Sequence, residues 1–472
     1  ARYAHVLSSE LGIAKGERVA VQVEKSPQAL FLYLACLRAG LIYFPLNTAY
    51  PRAELDYFLG DAEPQVFICA PQTLPMAQEL AIARNVPHVY TLDADGSGSW
   101  TERCQSAQTA FDTVVCQADD TATLLYTSGT TGRPKGAMLS HGNLAANSLT
   151  LHHAWGWQDG DVLLHALPLF HAHGLFVACH CALLNGSSML FLPKFEARAL
   201  MNWLPQATVF MGVPTYYTRL LAEADFGRQH CANMRLFISG SAPLLEQTFT
   251  AFQERTGHTI LERYGMTETV MNISNPLNGP RHAGTVGLPL PGVSIRIIDD
   301  QGNDVDVGHI GRLLVKGDNV FKAYWRRPEK TAEEFTTDGY FITGDLALRD
   351  EDGYITLVGR SKDLIITGGY NVYPKEVERC IDLLDGVIES AVIGVPHNDY
   401  GEAVVAVVVK DKDRADVTDE SLRVALETQL GGYKIPKRII FTAELPRNAM
   451  GKVLKNVLRD EYCYQSAVGR GA

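Results

Sequence analysis

No Cys-x-x-Cys pair occurs in this chain of 472 residues. Its nine cysteines, Cys36, Cys69, Cys104, Cys116, Cys179, Cys181, Cys231, Cys380 and Cys463, are scattered and odd in number. That pattern argues against a disulfide framework and for reduced thiols in a cytoplasmic compartment. Cys179-x-Cys181 beside His180 lies in the apolar run Leu175 to Leu184 and reads as core packing, not as a metal site. A basic surplus is lacking as well: 42 Lys+Arg against 53 Asp+Glu leave a net charge of −11. Non-specific binding to nucleic acid or to an anionic membrane is thereby disfavoured, whereas a small anion needs only a local cationic pocket. Long apolar runs are also missing. The best of them, LFVACHCALLNGSSMLFLP, is broken by His180, Asn185, Gly186 and two serines, so it reads as a buried helix followed by a strand. The opening residues do not read as a signal peptide. The opening ARYAHVLSSELG reads as the last turns of a helix, so a missing N-terminal segment is expected. Two nucleotide signatures fail too. Around Gly129 the residue before Lys135 is Pro134 and the one after is Gly136, which breaks the Gly-x-x-x-x-Gly-Lys-Ser/Thr loop. No Gly-x-Gly-x-x-Gly follows a strand.

What is present alternates. RVAVQVE reads as a strand, and SPQALFLYLACLRAG as a helix with Ser26 as cap, Pro27 at the first helical position and Gly40 at the stop. Further β-rich runs (IYFPLN, QVFICA, DVLLHALPL, SMLFLP, TVFMGV, MRLFIS) are separated by helical patterns such as HGNLAANSLTLHH, PTYYTRLLAEAD and PLLEQTFTAFQERTG. Strands alternating with helices predict parallel sheets covered on both faces, with ligands beyond the carboxyl ends of the strands. From about Val286 the texture becomes turn-rich β structure. After Arg360 a compact α+β tail follows. At 51.8 kDa the chain is too long for one core. The expected class is α/β: residues 1–361 form a large domain of parallel α/β sheets plus a β-rich subdomain, and residues 362–472 a small mobile α+β domain.

The stretch YTSGTTGRPKG, Tyr126 to Gly136, packs four Ser/Thr hydroxyls, three glycines, a proline and a lysine into eleven residues. Such a segment is unsuited to a helix or a paired strand. It reads either as a solvated loop or as a cradle in which hydroxyls and N–H groups wrap a phosphate beside Lys135.

Five further elements follow in order: SGSAPL (Ser239–Leu244), ERYGMTET (Glu262–Thr269), FITGDL (Phe341–Leu346), GRSKDLIITGGYNVYPKEVE (Gly359–Glu378) and PRNAMGK (Pro446–Lys452). Together with the Tyr126 segment they resemble the signature of the adenylate-forming superfamily, which includes acyl-CoA synthetases, luciferases and adenylation domains of peptide synthetases. The resemblance implies that a carboxylate is activated by ATP and then captured by the thiol of coenzyme A. Bringing two anions together needs cations and donors that neutralise the α-phosphate. It implies that Thr127, Ser128, Gly129, Thr130, Thr131 and Lys135 handle the departing phosphates. Glu268, with Thr127, would hold Mg²⁺, a hard cation that takes oxygen ligands. Ser241, Ala242 and Pro243 would lie along the adenine with Tyr264 stacked on it; Glu262, Gly265, Met266 and Thr267 belong to the same nucleotide site. Asp345 and Arg360 would reach the ribose. Lys452 would bridge carboxylate and α-phosphate, Lys362 would be the pivot of the small domain, and Gly368-Gly369 would border the pantetheine channel.

Within the superfamily LPLFHAHGLF, FMGVPTYYTRLL, RLFISGSAPLL, LERYGMTET and RHAGTVG resemble malonyl-CoA synthetases. That likeness implies a small dicarboxylic acid, malonate or methylmalonate, in a pocket of His171, Ser239 and Met266, with Arg281 pairing the second carboxylate. Another short or aromatic acid, or loading of a carrier protein, remains an alternative. His171 and His173 as a metal pair lack a third ligand at sensible spacing. A lysine acetyltransferase acting on Lys452 is a further expected partner.

Overall fold

The computed structural model describes residues 1–127, 134–397 and 399–468. Two seven-stranded sheets, with the helices packed on them, organise most of residues 1–325. The first runs in the order Ala323–Tyr324, Lys135–Ser140, Thr121–Thr127, Ile42–Pro45, Arg18–Gln22, Val66–Cys69, His88–Thr91. The second runs Leu288–Pro289, Ile273–Ser274, Ile260–Tyr264, Leu236–Ser239, Val209–Gly212, Val162–His165, Ser188–Phe191. Pairing within both is parallel except near one edge. The strands are near-continuous apolar runs because helices cover both faces. The helix Pro27–Arg38 starts where its punctuation places it, with Ser26 Oγ accepting from the Ala29 N–H at 3.2 Å.

Two expectations need correction. The flanks of the glycine-rich stretch do pair: Thr127 faces Lys135 and Tyr126 faces Gly136 across an antiparallel ladder. Ladder hydrogen bonding overrides the poor intrinsic propensity of these residues. Ser128, Gly129, Thr130 and Thr131 lie outside the described residues. The apolar run after His171 begins as a π-helix, His173–Cys179, before the α-helix His180–Asn185 and the strand Ser188–Phe191. Such wide turns are rare and concentrate at functional sites. Cys179 and Cys181 are fully buried there. Among the described residues no helix is long and apolar enough to cross a membrane.

A four-stranded antiparallel sheet (Ser294–Ile298, Gly311–Lys316, Phe341–Arg349, Ile355–Arg360) follows, and it accounts for the turn-rich texture. A 3₁₀ turn, Ser361–Asp363, leads into a five-stranded sheet made of Tyr370–Val372, Ile365–Thr367, Gly401–Lys410, Val387–His397 and Arg438–Thr442. The helix Pro374–Asp382 packs on that sheet and sends Arg379 to Glu246 of the larger part at 2.8 Å. Met450, near the chain's end, is 5% exposed and belongs to the core of the two large sheets.

Candidate active site

Strand ends and the tight turns after them converge on one cleft. Thr127 closes the strand Thr121–Thr127, and its hydroxyl donates to Glu268 Oε1 at 3.2 Å. Glu268 is 5% exposed, and burial raises its carboxyl above the usual range. The Tyr324 hydroxyl lies 3.1 Å from the same oxygen and 2.6 Å from Glu334 Oε2. Lys135 Nζ pairs with Glu334 Oε1 at 2.6 Å and rests 4.0 Å above the Tyr324 ring. Glu268, Glu334 and the Thr127 and Tyr324 hydroxyls thus share a small volume with the Lys135 ammonium, and oxygens of this kind are what a hard divalent cation takes. Tyr324 and Glu334 escaped the sequence reading, since nothing local distinguishes EKTAEEF from a solvated helix.

The turn after Tyr264 is wound tightly. A Cβ on Gly265 would lie 1.8 Å from the Val270 carbonyl oxygen, and Val270 itself sits at φ +53°. A β-branched residue in that region costs about 1–3 kcal/mol, and such strain gathers at sites that fix geometry. Here it presents Met266, Thr267 and Glu268 from one turn. Ser241 is likewise left-handed, at φ +73°. Beside it Ala242 is half-buried and Pro243 exposed. Glu262 does not face this opening: its Oε1 accepts from the Leu244 N–H at 3.0 Å, pinning the loop from beneath, and burial raises its carboxyl to about 8.

Asp345 and Arg360 are direct partners across two antiparallel strands, and their side chains pair at 2.7 Å. The Tyr264 hydroxyl donates to the other Asp345 oxygen at 2.5 Å. The Asp345 charge raises the Arg360 guanidinium, and burial together with that carboxylate raises the Tyr264 phenol. Tyr264, Asp345 and Arg360 are therefore one braced unit.

The acyl end holds a further residue that sequence reasoning missed. Arg263 is 3% exposed, and its Nε and Nη2 have no hydrogen-bond partner. Ser239 Oγ and His173 Nε2, both buried, are also unpartnered. Burial, with the Arg263 charge second, lowers the His171 imidazole to about 4 and holds His173 well below its ordinary value. Both rings are neutral near pH 7. His173 Nδ1 lies 3.2 Å from Ser241 Oγ, and His171 Nδ1 accepts from the His173 N–H at 3.3 Å. A buried guanidinium with idle donors beside two neutral imidazoles is built to take an anion. Ser239 is in register with Glu262 on the neighbouring strand, so its side chain lies on the opposite face of the sheet from Arg263, and its expected place in the acyl pocket is corrected on that ground. Arg281, by contrast, spends its guanidinium on the main-chain carbonyls of Pro276, Thr259 and Leu277 at 3.1, 2.7 and 3.0 Å. It ties a loop together, and the assignment of Arg281 to the second carboxylate is corrected on that ground. The available signal for Arg263 was a basic residue embedded in ERYGMTET.

The C-terminal segment brings Lys452 to the cleft. Asn448 Oδ1 accepts from the Lys452 N–H at 2.9 Å, and Arg447, ion-paired with Glu389, donates to the Gly451 carbonyl. Gly451, at φ +75°, passes within 3.0 Å of Thr215 Oγ1 measured from a Cβ placed on it. The Lys452 residue keeps an open flank, yet its amine is crowded. Desolvation first, then the Arg360 charge, lowers it to about 8. Lys362 lies in the 3₁₀ turn, exposed, next to Asp363, which pairs with Arg459 at 2.7 Å. Gly368 and Gly369, at φ +55° and +82°, form a hairpin tip apart from the cleft. A Cβ at Gly368 would meet only Tyr400, and one at Gly369 nothing within 4 Å.

Comparison with known proteins agrees with this geometry. Residues 1–325 match the family described as AMP-binding enzyme, and residues 376–452 match the AMP-binding enzyme C-terminal domain. The chain is 37% identical over 479 residues to a malonate–CoA ligase of Arabidopsis thaliana, covering 95% of this chain and 78% of that one. Among solved structures it resembles ATP-bound MatB from Rhodopseudomonas palustris, with 54% identity, a TM-score of 0.96 and coverage of 98% of this chain and 92% of the other. Against apo MatB from the same organism the identity is 55%, the coverage 98% and 91%, and the TM-score 0.84.

Proposed function

The chain belongs to the family of AMP-binding enzymes, and from that premise we propose that it is a malonate–CoA ligase. Malonate and ATP give malonyl-adenylate and pyrophosphate; the thiol of coenzyme A then displaces AMP to give malonyl-CoA. The observation that carries the choice of acid is Arg263. A fatty-acid tail would leave its two idle nitrogens buried and unpaired, at several kcal/mol. A dicarboxylate presents one carboxylate to the phosphate and the other to Arg263, flanked by the neutral His171 and His173.

Each remaining residue then has a task. Lys452 places its ammonium between the reacting carboxylate and the α-phosphate, where charge gathers in the transition state. Asp345, braced by Tyr264 and Arg360, accepts from the ribose hydroxyls. Glu268 and Thr127 would hold Mg²⁺, which neutralises the departing pyrophosphate when bound. Lys135 supplies a second cation once its ammonium is shared between Glu334 and the phosphates. The nearness of Lys452 to Arg360 and Asp345, together with the higher likeness to the ATP-bound relative, supports reading this arrangement as the adenylate-forming pose. We place the domain boundary at Ser361–Lys362, within the 3₁₀ turn, with Lys362 as pivot. Turning there would carry Gly368-Gly369 to the cleft for the thiol step. Nine free cysteines support a cytoplasmic location. Acetylation would remove the Lys452 charge on which the first step depends, which keeps a lysine acetyltransferase in the proposal.

The test is pyrophosphate release over a panel of mono- and dicarboxylic acids, with AMP release followed before and after addition of coenzyme A. Malonate should lead the panel, and AMP should appear only with the thiol. A monocarboxylate preferred over malonate would overturn the reading.

A further inference from the structure

Behind the acyl pocket lies a buried polar chain that no step above uses. Lys25 is 8% exposed, and among the described residues no carboxylate pairs with it. Its Nζ lies 2.7 Å from His165 Nδ1 and 2.8 Å from the His165 carbonyl oxygen, and 4.3 Å over the Phe191 ring. His165, 1% exposed at the end of the strand Val162–His165, places Nε2 2.9 Å from the Gly174 carbonyl oxygen and 3.3 Å from Cys179 Sγ. Gly174 follows His173 in the π-helix, and a Cβ on it would lie 2.0 Å from the Pro168 carbonyl oxygen. The turn is therefore clamped from two sides at the residue next to His173.

Hydrogen-bond bookkeeping fixes the direction of this chain. An ammonium or amine at Lys25 donates to Nδ1, so the neutral ring must carry its proton on Nε2, where Gly174 accepts it. Burial lowers the Lys25 amine to about 7, and even the neutral amine keeps two N–H groups for its two acceptors. When the amine is neutral its lone pair could accept from Nδ1–H, and it is then the Gly174 carbonyl, which can only accept, that keeps the proton on Nε2. The other titratable group facing Lys25 is Cys179, whose thiol burial raises to about 12.

We propose that Lys25 is a positioning and specificity-determining residue: through the His165 tautomer and the Gly174 carbonyl it holds the π-helix turn that presents His173, beside Arg263, to the remote carboxylate of the acid. This rests on the reading of Arg263 and His173 as the remote-carboxylate site.

The experiment compares wild type with Lys25→Met, of similar length and without donors. The KM for malonate should rise about tenfold or more while the KM for ATP moves less than about twofold, because only the acyl end loses its brace. Equal rises in both, or an unchanged malonate KM, would overturn the proposal. The tautomer is read independently from ¹⁵N shifts of histidine-labelled wild-type protein, so a variant that fails to fold leaves the test intact. His165 should carry its proton on Nε2; a proton on Nδ1 overturns the inference. Should wild type fail to turn over malonate, the proposed function falls, and the tautomer alone then decides whether Lys25 orders this turn.

Discussion

Replacing Arg263 with methionine separates binding from folding. The guanidinium is almost fully buried, has two nitrogens without partners, and has no carboxylate within bonding reach among the described residues. Burial lowers it to about 9, a measure of how poorly the fold alone solvates the charge. With malonate bound, the same charge pairs a carboxylate that is itself out of water. Stripping one partner from such a pair costs about 2–5 kcal/mol, or roughly 30- to 5,000-fold in kcat/KM for malonate. The unliganded protein should respond in the opposite sense. An unpaired buried cation exchanged for a well-packed apolar side chain is neutral or stabilising by about 1–4 kcal/mol. Arg263→Met should therefore melt at the wild-type temperature or above, while losing the upward thermal shift that malonate gives the wild type. Arg281→Ala serves as the contrast. It strips donors from three main-chain carbonyls and should lower the melting temperature while sparing the KM for malonate. Pyrophosphate release and a thermal melt on the same preparations settle the matter. A folded Arg263→Met enzyme with malonate kcat/KM within a few-fold of wild type would refute the reasoning.

Three other perturbations probe the C-terminal segment. Lys452→Ala should abolish adenylate formation yet spare malonyl-CoA formation from synthetic malonyl-adenylate. In the wild type the first half-reaction should weaken as pH rises through about 8, because a lysine with its pKa lowered to that value carries charge only below it; a flat profile from pH 7 to 9 would count against the role. Lys362→Pro suits the φ of a 3₁₀ turn near −65°, so adenylate formation should survive while overall turnover stalls; near-normal turnover would remove Lys362 from the pivot. Arg379→Ala breaks the ion pair to Glu246, whose partners are 61% and 28% exposed. Exposed pairs contribute about 0–1 kcal/mol, so adenylate formation should slow by no more than about fivefold, and a larger loss would mean that this contact does more than hold the pose.

How much of this was legible in the sequence depended on how local the cause is. The helix Pro27–Arg38 follows from Ser26, Pro27 and Gly40, neighbours in the chain. Thr127, Glu268, Asp345 and Lys452 were legible through the resemblance of their motifs to the adenylate-forming signature; in isolation Asp345 reads as a turn residue and Lys452 as a solvated lysine. Arg263 did not emerge, because a residue's face on a strand and its burial are set by what packs there, and LERYG looks alike with the arginine in or out. Arg281 misled for the converse reason: carbonyls from Thr259, Pro276 and Leu277 converge only after folding. The π-helix at His173–Cys179 gives no periodic signal over so short a run. Glu334 lay hidden in an ordinary charged helix end until Tyr324 and Lys135 came to it.

Met450 deserves a last physical consequence, because it is a plug. Its thioether is sealed into the core of the large sheets two residues before the reacting lysine, and Gly451 lies against Thr215. Withdrawing a methionine from such a seat costs about 1.5–3 kcal/mol, a bias of roughly 10- to 150-fold toward keeping it in place. If this is the adenylate-forming pose, as proposed, the acid and the nucleotide would meet a site already assembled, while the face that would receive the thiol would stay turned away. On that reading the order of addition would follow from packing, with coenzyme A entering after the first products have formed. Met450→Ala should loosen that order, so that a non-reactive thioether of coenzyme A inhibits the variant before ATP is added but leaves the wild type untouched, and equal inhibition of the two would show that the plug does not set the sequence of events.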